Sequence, residues 1–103
     1  MKNNIPLFFL LILLTLNYIQ AAPYPLGEMT CDDIGLFASK AMQWREENIS
    51  KRKALQKIEA MNIGEIENKN LIMVLNLIYS SYGNSWTIES AGNVLKADCK
   101  KGR

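Results

Sequence analysis

The sequence predicts an all-α protein, a small four-helix domain closed by one disulfide. Three observations carry that expectation. Apolar residues recur at helical spacing through most of residues 30–99. Capping residues and Gly or Asn stops punctuate that pattern at intervals. Two cysteines, Cys31 and Cys99, bracket the patterned region.

A chain of 103 residues allows one domain. Residues Ile5 to Leu16 form an apolar run broken only by Pro6 and Thr15, with Lys2 ahead of it and Ala21-Ala22 behind. That order is the charged, apolar and small-residue sequence of a secretory signal. The run falls short of the about 20 apolar residues that a spanning helix needs. Residues 1–21 are therefore expected to be a signal peptide, cleaved after Ala21 or Ala22, with no stable membrane insertion afterwards. Residues 22–29, which hold Pro23, Pro25 and Gly27, are expected to form an extended leader, and 30–103 the helical domain. The expected location of the mature protein is periplasmic or secreted.

Twelve Lys and Arg face ten Asp and Glu, a net charge of +2 that drops by one when Lys2 is removed. Such a balance offers no clustered basic face for nucleic acid. A domain this small buries a thin core, so a covalent staple is expected. Export places the thiols where paired cysteines oxidise, and two cysteines allow one connectivity within a monomer. A bridge between positions 31 and 99 should stabilise the fold by about 4 kcal/mol in the chain-entropy view. The competing readings are a metal site, a reactive thiol and an intermolecular bridge. Zinc would want four ligands, and the chain has no histidine to help.

Thr30 and Asp33 form a capping-box-like pair that starts the first helix, which Asn48 ends. Its apolar stripe is Ile34, Phe37, Ala38, Ala41 and Met42. Ser50 caps a second helix running to about Asn62, with Ala54, Leu55, Ile58 and Met61 inward. The stretch Asn62 to Asn70 reads as a polar connection. Leu71 to Tyr82 is apolar nearly all round and reads as the most buried helix, stopped at Gly83. Ser85 or Thr87 caps a last helix that ends near Cys99, with Ile88, Ala91, Leu95 and Cys99 on one face. At about 100° per residue Cys31 also falls on the apolar side of its helix, so both sulfurs point inward.

Nothing in the chain supports an enzyme, a cofactor or a metal centre. Without histidine, Ser-His and Cys-His nucleophiles are excluded. The acid pairs Asp32/Asp33, Glu46/Glu47 and Glu65/Glu67 do not face each other on a helix, as glycosidase chemistry would require. They read as helix-capping and solvated charge.

Arg45 is the unusual residue, since it projects near the centre of the first helix's apolar stripe, where an unpaired charge is costly. One reading has it bonding terminal carbonyls with its stem on apolar neighbours. The other makes it a contact for a partner, with Trp44 beside it, because Arg and Trp are common interface anchors. Trp86 is a third candidate partner-binding residue, or else packs with Tyr82 over the end of the third helix. The Lys51-Arg52-Lys53 run and the basic tail read as solvated faces. Asn48-Ile49-Ser50 fits a glycosylation sequon, which matters only in a eukaryotic secretory route.

The pattern Cys31-x3-Gly35-x-Phe37-Ala38-x3-Met42-x2-Arg45-x3-Ile49-Ser50, followed by Ile78-Tyr79 and Cys99, resembles small exported bacterial proteins of unknown function. A glycine often stands in those proteins where this chain has Asn48. The resemblance implies a periplasmic, disulfide-linked helical domain. It invites an analogy with periplasmic immunity proteins that neutralise effectors of type VI secretion. Acid-stress chaperones are similar over the short run Thr30-Cys31-Asp32-Asp33. A non-enzymatic, protein-binding module of the immunity type is the leading expectation, and a periplasmic chaperone or an envelope structural protein are the alternatives.

Overall fold

The computed structural model describes residues 26–102. The expected signal peptide and the leader up to residue 25 lie outside the described residues. Four helices follow in order: α1 (Cys31–Glu46), α2 (Lys51–Glu59), α3 (Glu65–Ile78) and α4 (Ile88–Lys101). A 3-10 turn, Ser81–Ser85, joins the last two. No strand occurs among the described residues, and none of their helices is long and apolar enough to cross a membrane. The Cys31–Cys99 disulfide is formed, with its Cα atoms 5.5 Å apart. Cys99 is fully buried and Cys31 half-buried.

Local signals set most boundaries. The Thr30 hydroxyl accepts from the Asp33 N–H, and the Asp33 carboxylate accepts from the Thr30 N–H, a complete capping box. At the other end of α1, the Ile49 N–H reaches the Trp44 carbonyl and the Asn48 N–H reaches the Arg45 carbonyl. This is a Schellman closure, and it needs a left-handed residue, which Asn48 supplies at φ 64°. Asparagine tolerates that region better than other side-chain-bearing residues. Ser50 caps α2 and Thr87 caps α4.

The third helix departs from expectation at both ends. It starts at Glu65, inside the stretch read as a connection, because Glu65 and Glu67 occupy a first turn where the helix dipole favours acids. Its polar residues line an overhanging turn and mimic a loop. It ends at Ile78, where the Ser80 hydroxyl donates to the Leu77 carbonyl and accepts from the Tyr82 N–H, turning the chain into the 3-10 segment.

The most buried helix is α1, not α3. It packs on each of the other three helices, and Ile34, Ala38 and Ala41 have no exposed surface. Its small residues let α4 come close: a side-chain carbon at Gly35 would lie 3.0 Å from the Gly92 carbonyl oxygen. The pair runs antiparallel, since Cys31 joins Cys99 while Ser39, two turns further on, donates to the Ile88 carbonyl at 2.8 Å. Leu75 and Ile78 of α3 and Ile58 of α2 fill the remaining core. Full burial of each such side chain contributes about 1.5–3 kcal/mol. Helix α3 keeps Ile72, Met73 and Leu77 only half-buried. Residues 26–29 are not an extended leader: Leu26 is buried, the Met29 N–H closes a turn on its carbonyl, and Gly27 sits at φ 60°.

Two exposed carboxylates tie this frame together. Lys96, by hydrogen bond and charge, holds the Asp32 carboxyl below its usual 3.8, with Lys100 adding to the effect. The Glu28 N–H, donating at 2.8 Å, holds the Glu67 carboxyl below its usual 4.5. Carboxyls depressed by folding add stability at pH values above their ordinary range, and that stability is lost as pH falls through the depressed values. The thermal midpoint should therefore decline on acidification below about pH 4.5, the ordinary Glu value. The Asp32→Asn/Glu67→Gln variant should decline less steeply. Identical slopes for both proteins in a pH series of thermal melts would show that these contacts contribute nothing.

Candidate interaction surface

The surface of interest begins with the residue that the sequence marks as anomalous. Arg45 is half-buried in the last turn of α1, and its guanidinium does not close its own helix. One nitrogen donates to the Ile78 carbonyl at 2.7 Å and to the Ser80 carbonyl at 3.1 Å. The other donates to the Asn84 side-chain oxygen. Arg45 thus caps the C-terminus of α3, where a cation is favoured, and anchors the 3-10 turn from below. It bonds terminal carbonyls, as one of the two sequence readings has it, but those of another helix.

Two further contacts brace the same corner. The Tyr79 hydroxyl donates to the Ile49 carbonyl at 2.6 Å. Burial pushes the Tyr79 phenol up, against the opposing pull of the Arg45 charge. Gly83 lies directly over the guanidinium, and a side-chain carbon there would collide with both Arg45 and the Ile78 carbonyl oxygen. The turn can rest on the arginine only because position 83 has no side chain.

What the turn displays is aromatic. Tyr82 is 66% exposed, and Trp86 at its far end is half-buried against the core. Tyr82 lines two open concavities. One runs along α3 past Lys69, Ile72, Met73 and Leu77. The other is lined by Leu77, Trp86, Val94 and Asp98. Leu77 belongs to both, so together they form one largely apolar face.

The other two residues proposed from sequence part company. Trp44 is 6% exposed and packs edge-on against Phe37, ring centres 5.8 Å apart, with the Lys57 ammonium 5.7 Å from its ring. It is a core residue in this fold. Trp86 joins the aromatic face with Tyr82, the neighbour expected for it. The sequence marks Tyr82 itself only as a packing partner. The signal for its display is the apolar surplus of Leu71 to Tyr82, more than one helix face can bury.

Among the described residues no group of three or more His, Cys, Asp or Glu side chains could hold a metal ion. Comparisons with protein-family models, with curated proteins and with solved structures found no match.

Proposed function

We propose that this chain is an exported, non-enzymatic protein-binding module whose contact face is the Tyr82–Trp86 turn and the adjoining side of α3. One observation carries the reading: a two-thirds-exposed tyrosine stands on a turn pinned by a charged arginine and flanked by half-buried apolar residues. Rigid aromatic anchors with an apolar surround are the common make-up of protein interfaces. The reading gives Arg45 a positioning role beneath the face, and Trp86 a place on it.

The apolar N-terminal run and the disulfide support an exported, periplasmic or secreted, location. The likeness to small exported bacterial proteins points the same way, and the immunity-type analogy supplies the partner class, a protein that the module neutralises.

The test is capture from periplasm by the purified mature protein beside its Tyr82→Ala variant. Wild type should retain a specific protein that the variant retains at least about tenfold less, the loss expected for an interface anchor. Tyr82 is exposed, so the circular dichroism of the variant should match wild type. The same partners held equally by both proteins would overturn the assignment of the face. Intact mass of the exported protein checks location: it should begin near Ala22 and be two hydrogens lighter than the reduced chain.

A further inference from the structure

The two sulfurs of the disulfide differ in what can reach them. Cys99 has no solvent-exposed surface and belongs to the apolar core, whereas Cys31 is half-buried. Thiol–disulfide exchange proceeds by attack of a thiolate on one of the two sulfurs, so access decides which one reacts. In the folded domain an external thiolate has an approach to Cys31 and none to Cys99.

Charge at the N-terminal end of α1 does not oppose that approach. Cys31 is the first residue of the helix, where the dipole favours an incoming anion. Both neighbouring carboxylates are committed. Asp33 accepts from the Thr30 N–H, and Asp32 is paired with Lys96 at 3.0 Å and more distantly with Lys100. The two lysines thus offset the acidic pair beside the sulfur.

We propose that Cys31 is a modification site, the sulfur at which a low-molecular-weight thiol forms a mixed disulfide with the folded domain, and that Cys99 is the resolving sulfur. A thiolate RS⁻ bonds to the Cys31 sulfur as the Cys31–Cys99 bond breaks. The bonding pair leaves with Cys99, which takes up a proton. The products are a mixed disulfide of Cys31 with R and a Cys99 thiol. A second thiolate attacks the R sulfur and releases RSSR and the Cys31 thiolate, so two thiols are oxidised as the bridge is reduced. In reverse the same path closes the bridge. The Cys31 thiolate attacks RSSR and expels RS⁻, and Cys99 then displaces the second RS⁻ from Cys31. Cys99 meets no external reagent in either direction. The inference is independent of the contact face around Tyr82.

Brief exposure of the oxidised mature protein to reduced glutathione, quenched in acid and followed by peptide mass mapping, tests the proposal. In native buffer the glutathione adduct should lie on Cys31 at least about tenfold in excess of Cys99, because a sulfur without exposed surface reacts only after the structure opens. In urea beyond the unfolding transition the two positions should be labelled alike. Equal labelling in native buffer would mean that unfolding precedes exchange, and it overturns the proposal. An adduct that forms only in urea overturns it as well, since Cys31 would then be out of reach in the folded domain.

Single-thiol variants give a second reading, with an aromatic disulfide as the probe and its released thiolate followed by absorbance. Cys31 in the Cys99→Ala variant should react at least about tenfold faster than Cys99 in the Cys31→Ala variant. Circular dichroism establishes that both variants are folded under the conditions compared, and equal rates in the folded variants reject the assignment. The mapping on wild type needs no substitution, so it decides the matter even where a variant fails to fold.

Discussion

Removal of the disulfide, by reduction or as Cys31→Ala/Cys99→Ala, should lower the unfolding free energy by about 4 kcal/mol. For a domain of this size each kcal/mol moves the thermal midpoint by about 4–8 °C, so a fall of roughly 15–30 °C is expected. The bridge joins residues 68 apart in sequence, and its effect lies mainly in the unfolded chain, whose freedom it restricts. The folded pair needs it less. Helices α1 and α4 already meet closely at Gly35 and Gly92, with Ser39 bonded to Ile88 and Asp32 paired to Lys96 at 3.0 Å. Small domains hold total stabilities near the low end of about 5–15 kcal/mol, so the reduced chain should sit close to its unfolding transition at room temperature.

The single variants should differ. Cys99 is fully buried and Cys31 half-buried, so Cys99→Ser should be worse than Cys31→Ser by about 1–2 kcal/mol, the cost of burying a hydroxyl without a partner. Urea melts of the variants, all fully reduced, measure that difference directly. A double-alanine variant within about 1 kcal/mol of the oxidised wild type would mean that helix packing alone holds the fold.

Local chemistry was readable where a side chain reports on its own backbone. Thr30, Ser50 and Thr87 are caps in the structure, and Asn48 ends α1, because each satisfies or positions peptide groups within a few residues of itself. Composition misleads where a helix leaves the core: four of residues 65–69 are polar and none of the five is buried, and they look like a loop for that reason. The centre of the fold was obscured in a related way. Hydrophobicity singles out α3, yet the small residues of α1 place it centrally, since Gly35, Ala38 and Ala41 permit approach from several sides. Arg45 was recognisable as out of place on an apolar stripe, but its acceptors lie 33, 35 and 39 residues away. No local pattern encodes that distance. Of the three residues that the sequence puts forward for partner contact, one lies on the face, one beneath it and one in the core, a division that only tertiary packing decides.

The arginine corner yields the second large effect. Gly83→Ala should destabilise the domain by about 2–4 kcal/mol, combining overpacking with loss of a hydrogen bond to a charged donor. The added carbon would enter the space between Arg45 and the Ile78 carbonyl, so either the guanidinium or the turn must move. Arg45→Ala reaches the same bond from the other side. It removes the donor shared by Ile78 and Ser80 and leaves the end of α3 less satisfied, at a cost of about 2–3 kcal/mol. The Tyr79–Ile49 bond persists in that variant, so α3 should stay docked while residues 81–86 loosen. Amide exchange should speed up there first. Because both substitutions break one contact, their costs should not add. Gly83→Ala made in the Arg45→Ala background should cost at least about 1 kcal/mol less than in wild type, since one of its two collisions is gone. A thermodynamic cycle from urea melts of the four proteins decides the matter. Strict additivity would mean that the glycine is required by the turn's own backbone and not by the arginine beneath it. A positive coupling would instead tie the display of Tyr82 and Trp86 to the hydrogen bonds of one guanidinium, and partner binding should then fall in the Arg45→Ala variant although neither aromatic has been touched.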